Sequence, residues 1–217
     1  WGFRTDGGLF LRTVRRPYLV LPVQSFPIAQ SHDMGKFFEH ITEQHAAFIE
    51  KQHIFFVSTA PLTPDGHINL SPKGLDCFKV LSSNRVAYMD LISSGNETSA
   101  HTLENGRITL MFCSFDEKPM ILRLYGKGHT VLSSDKEWSE LARHFKIYPS
   151  TRQIIVADIS KVQSSCGFGV PKYEFSGDRD IHFEWAESKG AEGLEQYVEV
   201  NNLYSIDGLP SKIASVR

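Results

Sequence analysis

The residues best suited to chemistry begin at INLSPKG (68–74), where Asn69, Ser71 and Lys73 alternate ahead of Gly74. In an extended strand such residues share a face. An amide, a hydroxyl and an ammonium then form one polar row, with the cation placed to meet an anion such as a phosphate. A second polar cluster follows Leu91, where Asn96, Thr98 and Ser99 supply amide and hydroxyl groups at the start of a short helix. Unpaired backbone N–H groups at a helix N-terminus favour anions. Between the two clusters, RVAYMDL carries Tyr88, Met89 and Asp90. The first two suit a core as well as they suit a ligand, and Asp90 closes its strand where it can bond backbone locally. The same residues also have a plain structural reading, with Lys73 a solvated hairpin lysine and Asn96, Thr98 and Ser99 a helix cap.

Other reactive side chains form no pattern. His40 and His45 are five apart, and His53, His67, His101, His129, His144 and His182 show neither HxxxH nor HxH spacing, so no metal site is expected. Cys77, Cys113 and Cys166 are odd in number and widely spaced, which fits neither a disulfide framework nor a CxxC pair. A reducing, cytoplasmic setting follows. Cys166, in CGFGVP, has no neighbouring base or cation to make it reactive.

These groups must be held by a core, and the chain is long enough for one domain. A hydrophobic share of 41%, a charged share of 22% and a net charge of -2 describe an ordinary globular protein without the charge excess that announces nucleic acid or an anionic membrane. Apolar runs such as IFFVSTA and ITLMFCSF fall far short of the roughly 18 residues of a membrane span and suit strands. Residues 1–33 carry Arg4, Arg12, Arg15 and Arg16 against Asp6 and Asp33. They are expected to be an N-terminal extension ahead of Met34 and outside the fold, the alternative being an arginine-rich organelle-targeting leader. The folded domain is then 34–217.

Within it, the apolar stripe of Phe37, Phe38, Ile41, Ala46, Phe48 and Ile49 predicts a helix over 36–52. Pro64, Asp65 and Gly66 predict a hairpin over 54–71. FKVLSS and RVAYMDL meet at a tight turn, Ser83 and Asn84. A short helix capped by Asn96 or Thr98 ends at Gly106, and RITLMFCSF and MILRLYGKGHTVL form the next strand pair. Ser134 and Glu137 form a capping box for a helix over 134–145. RQIIVADISKVQ is a strand, and a last helix is expected around 190–203. Hairpins with few helices and no βαβ rhythm indicate an antiparallel barrel.

INLSPKG (68–74), the run 85–112, LRLYGKGHTVL (122–132), SSCGFGVPKYEFSGDR (164–179) and the closing SIDGLP (205–210) occur in that order. This ordered set resembles the pyridoxamine 5'-phosphate oxidase-like split barrels, particularly an oxidase branch that ends in SIDGLP. The resemblance implies a mainly β protein with flanking helices: a six- to seven-stranded antiparallel FMN-binding split β-barrel, homodimeric, with FMN held at the subunit interface. It points to Asn69, Ser71, Lys73, Tyr88, Met89, Asp90, Asn96, Thr98 and Ser99 as cofactor contacts. An FMN-dependent oxidoreductase acting on a small-molecule substrate is implied, the flavin supplying the redox chemistry.

The sequence departs from the better-known oxidases of that family at Thr98 and Ser99, where they carry an Arg-Lys pair, and it lacks their C-terminal arginine-histidine substrate motif. Arg107 and Arg123 are cationic substitutes only if folding brings them to the groove. The departure keeps two alternatives open: a non-catalytic split barrel that binds or senses a flavin or haem, and a deazaflavin-dependent reductase.

Overall fold

A computed structural model describes residues 35–217; the expected extension, residues 1–33, lies outside them. Eight strands are found among the described residues: β1 (Lys36–Phe38), β2 (Phe55–Thr59), β3 (Asn69–Lys73), β4 (Phe78–Ser82), β5 (Arg85–Leu91), β6 (Arg107–Cys113), β7 (Ile121–Val131) and β8 (Thr151–Ser165). Seven follow the order β3-β2-β6-β7-β8-β5-β4, and the short β1 extends the edge of β8 beyond β5. All pairings are antiparallel. The helices are α1 (Glu43–Glu50), α2 (Glu97–Glu104), α3 (Trp138–Leu141), α4 (Ile181–Asn201) and α5 (Lys212–Ser215).

The two ends of this order, β3 and β4, share no ladder, yet the sheet curls until its ends meet through side chains. Phe55 of β2 lies 4.9 Å from Phe78 of β4, and Phe78 lies 4.9 Å from Phe112 of β6. The sheet is therefore a split barrel, not closed by hydrogen bonds. Val57, Val86, Tyr88, Leu110, Leu122 and Leu124 complete the interior. Curvature of this kind needs a break in the pleat. One lies between Tyr125 and Gly126 of β7, where the register against β8 shifts. A Cβ at Gly126 would meet the Asp158 carbonyl at 2.1 Å, so only glycine permits that approach.

A second core on the outer face, Ala87, Val131, Ile154 and Val156, is covered by Leu141 of α3. A third joins Ile92 to Ala186, Leu194 and Val198 of α4.

Three local expectations change. Residues 36–38 are a strand, because they complete the exposed edge of β8; the helix starts only at Thr42, whose hydroxyl accepts from His45 N–H while His45 Nδ1 accepts from Thr42 N–H. The helix expected over 134–145 shrinks to α3 and a 3-10 turn, Ala142–His144. Its capping box does not form: Asp135 accepts from the Leu132 N–H and the Lys212 ammonium instead. The last helix starts earlier, at Ile181, and breaks at Gly190.

Phe55 spans the split and touches Phe78, Tyr88 and Phe112. Phe55→Ala should therefore cost about 3–5 kcal/mol in urea unfolding. A loss under about 1 kcal/mol would show that aromatic contact across the split is dispensable.

Candidate functional site

The polar row on β3 forms as its alternation requires. Asn69, Ser71 and Lys73 are half-buried on one face while Leu70 and Pro72 point outward. Ser71 donates to Asn69 Oδ1 (2.8 Å), and Asn69 Nδ2 donates to Thr98 Oγ1 (3.0 Å) and Thr59 Oγ1 (3.1 Å). Lys73 leaves the row and crosses the split. Its ammonium donates to Asp90 Oδ1 of β5 at 2.7 Å.

Asp90 is the hub of the site. Its Oδ2 accepts from Arg152 Nη2 at 2.6 Å and from Gln153 Nε2 at 2.8 Å. The Asp90 and Arg152 side chains are 2% and 3% exposed, whereas Lys73 is 21% exposed. The local backbone explains how β8 delivers both partners. Asp90 pairs with Gln153 and Leu91 with Thr151, so Arg152 is the extra residue of a bulge. A bulge re-aims side chains that strict alternation would send to opposite faces. Arg152 also donates to the Gly95 carbonyl at 2.9 Å, tying the turn before α2 to the cluster.

The direct ionic partner of Lys73 is Asp90. Burial pushes the Asp90 carboxyl up, but the Arg152 guanidinium and then the Lys73 ammonium outweigh it and hold the group well below the usual carboxylate range. Burial pushes the Cys77 thiol up to about 12 and raises the Tyr88 phenol, so both stay neutral. His182 is lowered by burial and then by Lys73. The cluster thus holds two cations against one carboxylate.

Asn96, Thr98 and Ser99 sit at the start of α2, all buried. Asn96 is the N-cap residue but makes no side-chain cap. Its amide accepts from Gln153 at 2.7 Å and donates to the Asn202 carbonyl at 3.0 Å. Ser99 Oγ accepts from Thr130 at 3.0 Å and from the Lys212 N–H at 3.1 Å. The segment after α4 therefore occupies these groups; the turn of SIDGLP is fixed by Asp207, which accepts from the His67 N–H and lies 2.6 Å from His67 Nδ1. Tyr88 lines the core against Phe55, and Met89 Sδ accepts from Thr151 Oγ1 at 3.4 Å.

Lys73 opens onto a cleft of about 930 Å³, walled by His53, Phe56, Phe115, Tyr173, Phe175 and His182 among others. Phe175 stacks on His53 with ring centroids 3.7 Å apart and planes 3° from parallel. A cation at one end and flat walls beyond it can orient a planar molecule that carries an anionic group.

A family model described as pyridoxamine 5'-phosphate oxidase matches residues 41–166. A pyridoxamine 5'-phosphate oxidase family protein of Aspergillus flavus, ustO, is 37% identical over 203 residues, covering 85% of this chain and 80% of the relative. The chain belongs to the pyridoxamine 5'-phosphate oxidase family. Among solved structures, the HupZ protein of Group A Streptococcus shares 15% identity and a TM-score of 0.45 over 56% of this chain and 91% of that one. An FMN-binding protein of Syntrophomonas wolfei shares 14% and 0.44 over 56% and 84%.

Of the nine residues expected to contact a cofactor, Lys73 lines the cleft; Asp90 and Asn96 belong to its charge cluster, and Asn69, Ser71 and Thr98 to one hydrogen-bonded row, whereas Tyr88 and Met89 lie in the core and Ser99 faces Thr130 and Lys212. The second cation, Arg152, is one that sequence reasoning missed. Arg107 bonds Asn105 and the Pro61 carbonyl, and Arg123 bonds Ser165. Arg152 instead reaches Asp90. Its signal in the sequence was faint: two polar residues, Arg152 and Gln153, opening the apolar run IIVADI.

Asp90→Asn leaves Lys73 and Arg152 facing each other without an anion and should cost about 3–5 kcal/mol at neutral pH. Asp90 titrates below the unfolded value of about 3.9, so its contribution is complete above that pH and is lost as pH falls through the lower folded value. Urea unfolding of both proteins at neutral pH and in steps below about pH 4 should show the gap closing on acidification. A gap that holds constant would remove Asp90 as the anchoring charge.

Proposed function

We propose that this protein is an FMN-dependent oxidoreductase that works as a cytoplasmic homodimer, with the flavin phosphate at Lys73 and a small-molecule substrate in the adjoining cleft. The observation that carries this reading is the charge surplus beneath Lys73. Two cations share one buried carboxylate, and only Lys73 has part of its side chain at the surface of the cleft. A phosphate is the complementary partner for such a site, and the cleft lies within the roughly 300–1,000 Å³ typical of small-molecule sites.

In this reading Lys73 binds the phosphate, and Asn69 and Ser71, whose donors are engaged within the β3 row, offer their remaining acceptor lone pairs to the polar edge of the ring. Asn96, Thr98 and Ser99, whose side chains are engaged, act through the backbone of the first turn of α2. Tyr88 and Met89 support the floor, and Asp90 orients Lys73. The flavin supplies the electron transfer; no side chain is assigned an acid or base role. Among the described residues no helix is long and apolar enough to cross a membrane.

The homodimer draws support from one face. Ile68 and Leu70 are 73% and 65% exposed at the start of the edge strand β3, apolar side chains of the kind that can mark an interaction surface. A second reading, a non-catalytic flavin-binding or sensing protein, is favoured by the engagement of the Thr98 and Ser99 hydroxyls inside the fold.

Two measurements test the proposal. FMN titration followed by flavin fluorescence should show binding that Lys73→Ala weakens by about 1.5–3 kcal/mol, with NAD(P)H-dependent reduction of the bound flavin separating oxidoreductase from sensor. No FMN uptake by the wild type would sink the cofactor assignment. In sedimentation, Leu70→Asp should convert a dimer to a monomer; a wild type already monomeric, or a variant still dimeric, would move the interface elsewhere.

A further inference from the structure

The surplus charge at Lys73 has a source, and it lies on β8. Lys73 alone against Asp90 would be a neutral pair, with its ammonium satisfied and no attraction left for an anion. Arg152 changes the count. Asp90 offers Oδ1 to Lys73 and Oδ2 to Arg152, so the carboxylate is shared and the cluster keeps one net positive charge. Because Arg152 is 3% exposed and anchored to the Gly95 carbonyl, it cannot itself reach the cleft. Its charge is expressed through Lys73, the member with surface. Of the titratable groups packed about Lys73, Cys77 and Tyr88 stay protonated, and His182, its Nε2 3.2 Å from Ser150 Oγ, is biased to the neutral form; the walls of the cleft also carry the cations Lys51 and Arg179, the acids Asp116, Glu174 and Asp178, and His53. Asp76, an acid near this turn, is engaged at the surface by Lys79 at 2.9 Å.

We infer that Arg152 is a positioning and specificity-determining residue: by holding Asp90 from behind, it leaves Lys73 with an uncompensated charge and makes the site select phosphorylated over unphosphorylated flavin. This rests on the flavin reading above and adds a residue outside the β3 and α2 motifs. It also explains how a site with Thr98 and Ser99 in place of two cations retains attraction for a phosphate. The charge is supplied from beneath the site rather than from the α2 turn, and the bulge at Arg152 makes that possible.

The test compares FMN with riboflavin, which differ only in the phosphate, on the full chain. In Arg152→Met, Asp90 neutralises Lys73 completely. FMN affinity should fall roughly ten- to hundredfold, the equivalent of one charge-assisted hydrogen bond, while riboflavin affinity stays at the wild-type value. Removing the carboxylate as well, in the double variant Arg152→Met with Asp90→Asn, returns a net charge of one to Lys73 and should restore the preference for FMN. Arg152→Lys should keep it. Retained riboflavin binding and an unchanged circular dichroism spectrum report that each variant is folded, and if Arg152→Met alone does not fold, the double variant and Arg152→Lys carry the comparison with wild type. Loss of FMN and riboflavin binding in parallel, no loss of FMN binding, or failure of the double variant to recover the preference would each overturn the inference. A wild type that binds riboflavin as tightly as FMN would overturn the phosphate role of Lys73, and this inference with it. A wild type that binds neither would fail the flavin reading at its root.

Discussion

The buried carboxylate of Asp90 is the constraint on which the arrangement of this barrel turns. An ionised carboxylate removed from water is tolerated only when paired and hydrogen-bonded. Asp90 meets that requirement with donors from β3 and β8, while Asn96, at the head of α2, is bonded through Gln153 to the same cluster. Sheet hydrogen bonding leaves β3 and β4 as separate edges. The ion pair from Lys73 to Asp90 therefore crosses a gap that the backbone does not bridge, and the aromatic contact of Phe55 with Phe78 crosses it deeper in the core. Hydrophobic contact draws the two ends together without direction; the charge cluster adds direction, because the carboxylate has only two oxygens and three donors must converge on them.

Much of this was legible in the sequence where interactions are local. Alternation along INLSPKG placed Asn69, Ser71 and Lys73 on one face, and turn residues at Pro64–Gly66 and Ser83–Asn84 separated strands as they do in the structure. Gly106, with a φ of 71°, ends α2 as its type suggests. What was not legible was set by partners distant in the chain. Phe37 and Phe38 fit a helical stripe but form a strand because β8 offers an unpaired edge at Val162–Ser164. The helix after Ser134 stays short because Asp135 is bonded to Leu132 and to Lys212, 77 residues on.

The same distinction governs the site. Asn96, Thr98 and Ser99 have the right chemistry for a phosphate cradle, and single-chain reasoning has no means of knowing that the segment around Asn202 and Lys212 bonds Asn96 and Ser99 while Asn69 of β3 bonds Thr98. Arg152 was invisible for a different reason. Strand periodicity sends it away from Gln153, and only the register shift opposite Asp90 and Leu91 turns both toward the carboxylate. A bulge leaves little trace in composition, since nearly any residue can occupy one.

The comparison with the Arg-Lys pair of the better-known oxidases becomes a question of geometry once Arg152 is placed. In this chain positions 98 and 99 are buried, 8% and 0% exposed, and leave no room for two cations on a solvated turn. The turn carries hydroxyls that bind its own fold, and the cationic charge sits behind a carboxylate, sealed from solvent except at Lys73. Removing water strengthens whatever field reaches Lys73, but it also ties that field to the fold. Arg152, Asp90, Gln153 and Asn96 cannot move independently without leaving a buried polar group unpaired. On the reading proposed above, the integrity of the barrel and the selectivity of its groove depend on the same few hydrogen bonds.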